Sequence, residues 1–137
     1  MKTNADDLST TPRMRLHHVG MVVRNIPAAA QRLTTGLGLL WDQRIVEDPI
    51  QTVRVSFLSH PGSTDNTQLE PVEPLSEHSK VASFLSKNGG CHHVCYEVDD
   101  LKFALQRVRR SGAVIVQQPV IVQQQPAGGR ERRDDVD

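Results

Sequence analysis

Two histidine pairs and one glutamate are the residues whose types and spacing favour metal chemistry. His17 and His18 are adjacent, and His92 and His93 repeat the pair 75 positions later. Glu70 lies between the two pairs, in a stretch with the character of a strand. Two imidazoles and one carboxylate form a donor set suited to zinc, iron(II), manganese, cobalt or nickel. The sequence therefore predicts a divalent metal site with His18, Glu70 and His93 as its ligands.

The histidine pairs belong to an internal duplication, which is sought before any fold is assigned. A shift of 75 positions aligns the two segments without a gap. The shift brings these residues together: His17 and His92, His18 and His93, Val19 and Val94, Val23 and Val98, Ala29 and Ala104, Gln31 and Gln106, Arg32 and Arg107. A single histidine in a strand is usually a surface or packing residue. Histidines at matching repeat positions instead favour a shared site.

Alternation along the predicted strands selects one histidine from each pair. Successive side chains of a strand point to opposite faces of a sheet. By this rule His18, Glu70 and His93 lie on the face turned away from the helices. His17 and His92 are then expected to face the helix layer, as packing or supporting groups. If two half-sheets curl toward each other, the three predicted ligands converge in a central cup.

Each repeat is predicted to open as a strand followed by a helix. In the first, the helix begins at Asn25, which can cap it, followed by Pro27 in the first turn, and ends at Gly36 and Gly38. Strands are predicted at 15–23, 39–46, 51–58 and 67–72 in the first repeat, with a turn at 47–49 and the last strand ending or bulging at Pro71. A short helix is predicted within 74–90, a strand from Cys91, a helix capped by Asp99 or Asp100 and ending at Gly112, a strand at 113–116 and a fragment at 120–122.

These elements predict an α+β fold of paired βαβββ modules that form a curled mixed sheet around the central cup. The second module is expected to be incomplete, because only one clear strand follows its helix. We predict a disordered leader at 1–13, a single domain at 14–122 and a disordered tail at 123–137. Within the domain, module one covers 14–73, the linker helix 74–90 and module two 91–122.

Composition excludes several classes of function. The 137-residue chain has a formal net charge of zero and only 4% aromatic residues, which argues against nucleic-acid binding. Its apolar runs are shorter than the roughly 20 residues that a membrane helix needs, and its polar start has no signal-peptide character. Cys91 and Cys95 would lie about 13 Å apart in a strand, too far for a disulfide. Reduced thiols favour a cytoplasmic location.

The duplication, the His-His-Val openings and the glutamate-bearing strand resemble the vicinal oxygen chelate superfamily, which includes glyoxalases, bleomycin resistance proteins and dioxygenases. The resemblance covers about residues 15–119. Within the superfamily, the stretch from Thr67-Gln68-Leu69-Glu70 to Val98-Asp99-Asp100 most resembles the methylmalonyl-CoA epimerases. That likeness implies His18, Glu70 and His93 as ligands of a divalent ion, with Gln or Glu usual at the position of Glu70.

The resemblance implies proton abstraction alpha to a thioester carbonyl of a small-molecule substrate such as an acyl-CoA, in a homodimer. Two family residues have no counterpart here: a fourth ligand in a final strand, and a base on the third strand, where this chain has Val55. Glu70 is therefore expected to serve as both ligand and base. The alternatives are a glyoxalase-type lyase or ring-cleaving dioxygenase on the same scaffold, and a non-catalytic binding or resistance module or inactive fragment.

Overall fold

The computed structural model describes residues 11–116, which form one mixed sheet and three helices. The strands are β1 (Met14–Val22), β2 (Leu40–Trp41), β3 (Val46–Asp48), β4 (Val53–Val55), β5 (Leu58–Ser59), β6 (Gln68–Pro74) and β7 (Gly90–Val98). The helices are α1 (Ile26–Leu37), α2 (Ala82–Ser86) and α3 (Leu101–Arg110). The chain divides after Leu101 into two compact units, so that α3 belongs almost entirely to the second.

The sheet is mixed and runs in the order β2-β5-β6-β1-β7, with β4 pairing both β3 and β6. β1 lies parallel to β6 and antiparallel to β7. The first strands of the two repeats are therefore direct neighbours. This curled, unclosed sheet confirms the predicted α+β fold class.

Helix α1 begins where the sequence predicts and ends at the second of the two predicted glycines. The Asn25 side chain accepts a hydrogen bond from the Ala28 amide at 2.9 Å, and Pro27 occupies the first turn. Gly38 ends the helix in a left-handed conformation with φ of 70°. A residue without a Cβ is favoured there, because this conformation strains other side chains. Gly36 lies inside the last turn and does not end the helix, contrary to the prediction.

Pro71 neither ends nor bulges strand β6, and that prediction is wrong. β6 continues to Pro74, and the interruption falls on its neighbour instead. β4 and β5 pair with β6 in one continuous register, since Val55 lies opposite Val72 and Leu58 opposite Leu69. Between them the Ser56 amide donates to the Pro71 carbonyl at 3.2 Å. Proline has no amide to return that bond, so the ladder is broken at this point.

The buried apolar residues form two clusters on opposite faces of the sheet. One cluster consists of Val22, Val53, Val72 and Val81, packed against Val55, Phe84 and Leu85. The other consists of Ala30, Leu39 and Leu58, packed against Leu33, Trp41 and Leu69. Strand β1 thus also buries the face turned away from α1, the face that carries His18 and Val22. The cup has an apolar floor as a result.

The second repeat is described only in part. β7 and α3 form as predicted, but residues 113–116 do not form the predicted strand. The fragment at 120–122 and the disordered tail at 123–137 fall outside the described residues, as does most of the leader at 1–13. The single domain at 14–122 stays a prediction. Among the described residues, no helix has the length and apolar character needed to cross a membrane.

Candidate metal centre

The pairing of β1 with β7 contains two register shifts, and the first leaves a residue of β1 without a ladder partner. Leu16 lies opposite Tyr96, but His18 lies opposite Cys95. His17 is therefore an extra residue, as in a β-bulge.

The second register shift leaves a residue of β7 without a ladder partner. Gly20 lies opposite His93, and Met21 lies opposite Cys91, so His92 is the extra residue. The duplication thus places the two bulges at equivalent residues, the first histidine of each pair.

These bulges remove the alternation argument that assigned His17 and His92 to the helix layer, although the His92 ring does contact Phe84 of α2. An extra residue breaks the strict alternation of side chains, so parity does not hold across it. The His17 ring contacts the rings of His18 and Phe57. The His92 ring lies beside that of His93 and lines the same cavity. Sequence reasoning missed this placement of His92, because parity was applied across a bulge.

The three predicted ligands meet at one point. His18 Nε2 lies 3.4 Å from Glu70 Oε1, and His93 Nε2 lies 3.2 Å from the same oxygen. The two Nε2 atoms are 3.3 Å apart. β1, β6 and β7 each supply one of these side chains, so the convergence follows directly from their adjacency in the sheet.

This triangle of atoms fits a divalent metal ion. Ligand atoms held at about 2.1 Å from an ion, at angles between octahedral and tetrahedral, lie about 3.0–3.4 Å from one another. The three measured separations agree with this range. His18 and Glu70 are 8% and 7% exposed, whereas the His93 side chain is 36% exposed. The site is therefore walled on two sides and open beside His93.

Burial keeps the site largely neutral in the absence of an ion. It lowers the pKa of His18 to about 4, and the charges of His17 and His93 add to this effect. Burial also raises the pKa of Glu70 to about 7, with a further contribution from the charge of Asp48. The pKa of His93 is lowered, first by burial and then by His92. Neutral imidazoles keep the lone pairs that a metal requires.

The triad opens into a cavity of about 480 Å³, which we call the cup. Besides the triad, its lining consists of Asp48, Gln51, Val53, Val55, Val72, Lys80, Val81 and His92. The apolar floor and a rim of polar groups are typical of a small-molecule site. Asp48 was not foreseen as a cup residue, because residues 47–49 were predicted as a turn. Asp48 lies at the end of β3, opposite the cup residue Val53, and this pairing places it at the cup.

Cys95 lies next to the site but outside the triad. It pairs with His18 across the two strands and occupies the repeat position that corresponds to Gly20. Burial raises the pKa of the Cys95 thiol, with smaller contributions from the charges of Glu70 and Glu97. Cys91 and Cys95 are both free, which agrees with the expectation that they do not form a disulfide.

Comparison with known proteins gives consistent matches. A family model for the glyoxalase/bleomycin resistance protein/dioxygenase superfamily matches residues 17–131. The ethylmalonyl-CoA/methylmalonyl-CoA epimerase of Cereibacter sphaeroides is 38% identical over 104 residues, which cover 74% of each chain. The mitochondrial methylmalonyl-CoA epimerase of Homo sapiens is 35% identical over 70% of this chain, which spans about half (53%) of that protein. A crystal structure of methylmalonyl-CoA epimerase from Mycobacterium tuberculosis has a TM-score of 0.64 at 30% identity, covering 72% of this chain and 64% of that one.

Gly20→Ala should displace His93 from the triad. A Cβ at Gly20 would lie 2.1 Å from His93 Cε1, so the half-exposed imidazole must swing away. We expect zinc affinity, measured by chelator competition, to fall by at least about 10-fold. Gly36→Ala is the matched control, because a Cβ there meets no atom within 4 Å. It should leave zinc affinity unchanged and stabilise the fold by about 0.5–1 kcal/mol. Equal zinc affinity in Gly20→Ala and the wild type would contradict this account.

Glu70→Gln should change how the stability of the metal-free protein depends on pH. The folded-state pKa of Glu70 is raised to about 7, so its protonated form favours folding. That stability is present below its unfolded pKa and is lost as pH rises through about 7. Between pH 5 and pH 8, the wild type should lose free energy of unfolding relative to Glu70→Gln, on the order of 3 kcal/mol.

Urea denaturation in the presence of a chelator measures this difference. The lowered pKa of His18 acts in the opposite direction, but it is common to both proteins and cancels. Glu77→Gln, which removes an exposed carboxyl, serves as the control. A difference between the wild type and Glu70→Gln that does not vary with pH would rule out the buried carboxyl as its source.

Proposed function

The chain belongs to the glyoxalase/bleomycin resistance protein/dioxygenase superfamily, and on that basis we propose that it is a metal-dependent epimerase acting on methylmalonyl-CoA or ethylmalonyl-CoA. The observation that carries the proposal is the convergence of His18, Glu70 and His93 in a chain 38% identical to an epimerase named for those two thioesters. A homodimer and a cytoplasmic location stay predictions from the resemblance and the reduced cysteines.

The triad would hold the ion through two imidazole nitrogens and one carboxylate oxygen, a donor set suited to cobalt, zinc, manganese, nickel or iron(II). When bound there, the ion supplies positive charge that stabilises the oxyanion formed as the thioester enolises. His18 and Glu70 are buried, which strengthens electrostatic effects at this point. The apolar floor, which includes Val53 and Val72, excludes water from one side of the substrate.

Asp48 is the residue we propose as the base that removes the alpha proton. Its carboxyl lines the cup, and its charge contributes to the raised pKa of Glu70. Oδ1 accepts hydrogen bonds from the amides of Ile50 and Gln51, each at 3.0 Å, and these bonds fix the carboxylate at the rim. Asp48 would thus take the place of the base that the family carries on its third strand, where this chain has Val55.

The proposed reaction needs a second group to return a proton on the opposite face. The alpha C–H bond breaks, its proton moves to Asp48, and its electron pair is delocalised onto the thioester oxygen. Glu70 contacts both imidazoles through Oε1, and we assign the second proton transfer to its Oε2. The Oε2–H bond would break, the enolate electron pair would form the new C–H bond with that proton, and exchange with solvent would then remove the proton from Asp48 and restore the one on Glu70. Glu70 is then both a metal ligand and an acid/base, as expected from the sequence, but Asp48 carries out the other proton transfer.

Metal content and deuterium exchange together test the proposed function. We expect cobalt-loaded wild type to exchange the alpha proton of methylmalonyl-CoA or ethylmalonyl-CoA in D₂O. His93→Ala should lose stoichiometric metal and reduce exchange by about 100-fold or more, since it removes one of three ligands. His78→Ala, which changes an exposed histidine, is the control.

Two results would count against the epimerase. Full metal content in His93→Ala would remove the triad as the metal site. Metal-loaded wild type that exchanges neither thioester would exclude the epimerase and leave the lyase, dioxygenase or binding-module alternatives.

Asp48→Asn tests the base separately. The amide Oδ1 of asparagine can keep both turn hydrogen bonds, so the variant removes the charge with little effect on the β3–β4 turn. We expect exchange from one epimer to fall by about 10²–10⁴-fold, with a smaller effect on exchange from the other.

Glu47→Gln is the matched control for Asp48→Asn. Glu47 is the adjacent acid, is largely exposed and forms an ion pair with Arg54 at 3.1 Å. If wild type exchanges and both variants retain its rates for both epimers, Asp48 is not the base.

A further inference from the structure

The two bulge histidines make the same contact with the two predicted ligands. His17 Nδ1 lies 2.8 Å from His18 Nδ1, and His92 Nδ1 lies 3.0 Å from His93 Nδ1. The same atoms are paired in both repeats, although the pairs are 75 residues apart. Neighbouring side chains of a regular strand point to opposite faces, so only the extra residue at each bulge lets adjacent imidazoles meet.

The direction of each hydrogen bond follows from the position of the site. His18 and His93 direct Nε2 toward Glu70. A neutral imidazole carries one N–H and one lone pair, so a ligand that uses the Nε2 lone pair must keep its proton on Nδ1. That proton is donated to the adjacent histidine, whose own Nδ1 must then be unprotonated. The two bulge histidines, His17 and His92, therefore carry their protons on Nε2.

We propose that His17 and His92 are positioning residues that fix the tautomer and ring orientation of the two histidine ligands. Metal-binding histidines usually donate their second N–H to a carboxylate, carbonyl or water, which orients the ring and raises its basicity. In this chain a second imidazole would take that place in both repeats. The inference rests on the proposed metal centre, but not on the reaction.

His17 and His92 each also contact an aromatic ring. The Phe84 ring meets the His92 ring edge-on at 4.9 Å between centroids. The Phe57 ring meets the His17 ring in a similar way at 6.1 Å. His92 is itself exposed, so burial of its ring gives a poor account of its position. The hydrogen bond to His93 accounts for it better.

Matched substitutions at position 92 separate hydrogen bonding from packing. Asparagine places an acceptor oxygen close to the position of the histidine Nδ1, and leucine has a similar size without an acceptor. Measured by chelator competition, the zinc affinity of His92→Leu should fall by about 10–100-fold. His92→Asn should stay within about threefold of the wild type. His17→Leu and His17→Asn should repeat this pattern, and His78→Leu should have no effect.

The tautomers give a direct readout in the zinc-loaded wild type. Long-range ¹H–¹⁵N correlation spectra should place the ring proton on Nδ1 of His18 and His93 and on Nε2 of His17 and His92. A purely structural role would not fix this alternating pattern. The measurement needs no variant, so it remains decisive even if a leucine variant fails to fold.

The outcomes distinguish this inference from the proposed function. Zinc-binding wild type with the opposite tautomers would overturn the positioning role alone, as would equal zinc affinity in His92→Leu and His92→Asn. Wild type that binds no zinc would overturn the metal centre and the positioning role together. Loss of epimerase activity with these zinc affinities and tautomers retained would leave the inference standing and remove only the proposed reaction.

Discussion

The antiparallel pairing of β1 with β7 is the interaction on which the site depends. These are the opening strands of the two repeats, and their adjacency brings His18 and His93 within 3.3 Å of each other. Parallel pairing of β1 with β6 then adds Glu70 from the other side. Three strands that are distant in sequence thus supply one donor each. Strand pairing, rather than any local motif, brings together the three side chains of the candidate metal centre.

The position of these strands also buries the site, which lowers its contribution to the stability of the fold. Glu70 and His18 are almost fully enclosed, and burial shifts both pKa values toward the uncharged forms. Such a cluster of polar groups contributes less to folding than apolar residues of similar volume would. The valine cluster on the same face, which includes Val22 and Val72, offsets that cost. The same face of each strand therefore carries both a site residue and an apolar residue of the core: His18 and Val22 on β1, and Glu70 and Val72 on β6.

The sequence predicted the fold class and the meeting of the three ligands, because both follow from duplication and from two-residue alternation. His18, Glu70 and His93 each lie on the predicted face. Alternation failed at His17 and His92, since a bulge adds a residue that periodicity cannot reveal.

Asp48 was missed for a different reason. A turn was predicted at 47–49, but the turn lies at 49–52 and Asp48 is the last residue of β3, from where it lines the cavity and accepts hydrogen bonds from the Ile50 and Gln51 amides. Pro71 was misjudged because the missing amide interrupts the partner strand instead of its own. Tertiary pairing, which no local pattern encodes, decided each of these cases.

The break in the ladder opposite Pro71 lies beside the cup. The β3–β4 hairpin, which carries Asp48, pairs with β6 from Val53–Pro74 to Val55–Val72, and the Ser56 amide extends this contact to the Pro71 carbonyl. β5 is held by its own pairing on the far side of the break. Hydrogen bonds from Leu75 and Lys80 to the Thr52 and Ile50 carbonyls hold the other end of the hairpin. The one ladder hydrogen bond that Pro71 cannot make thus lies next to Glu70, between the strand that carries this glutamate and the hairpin that carries Asp48.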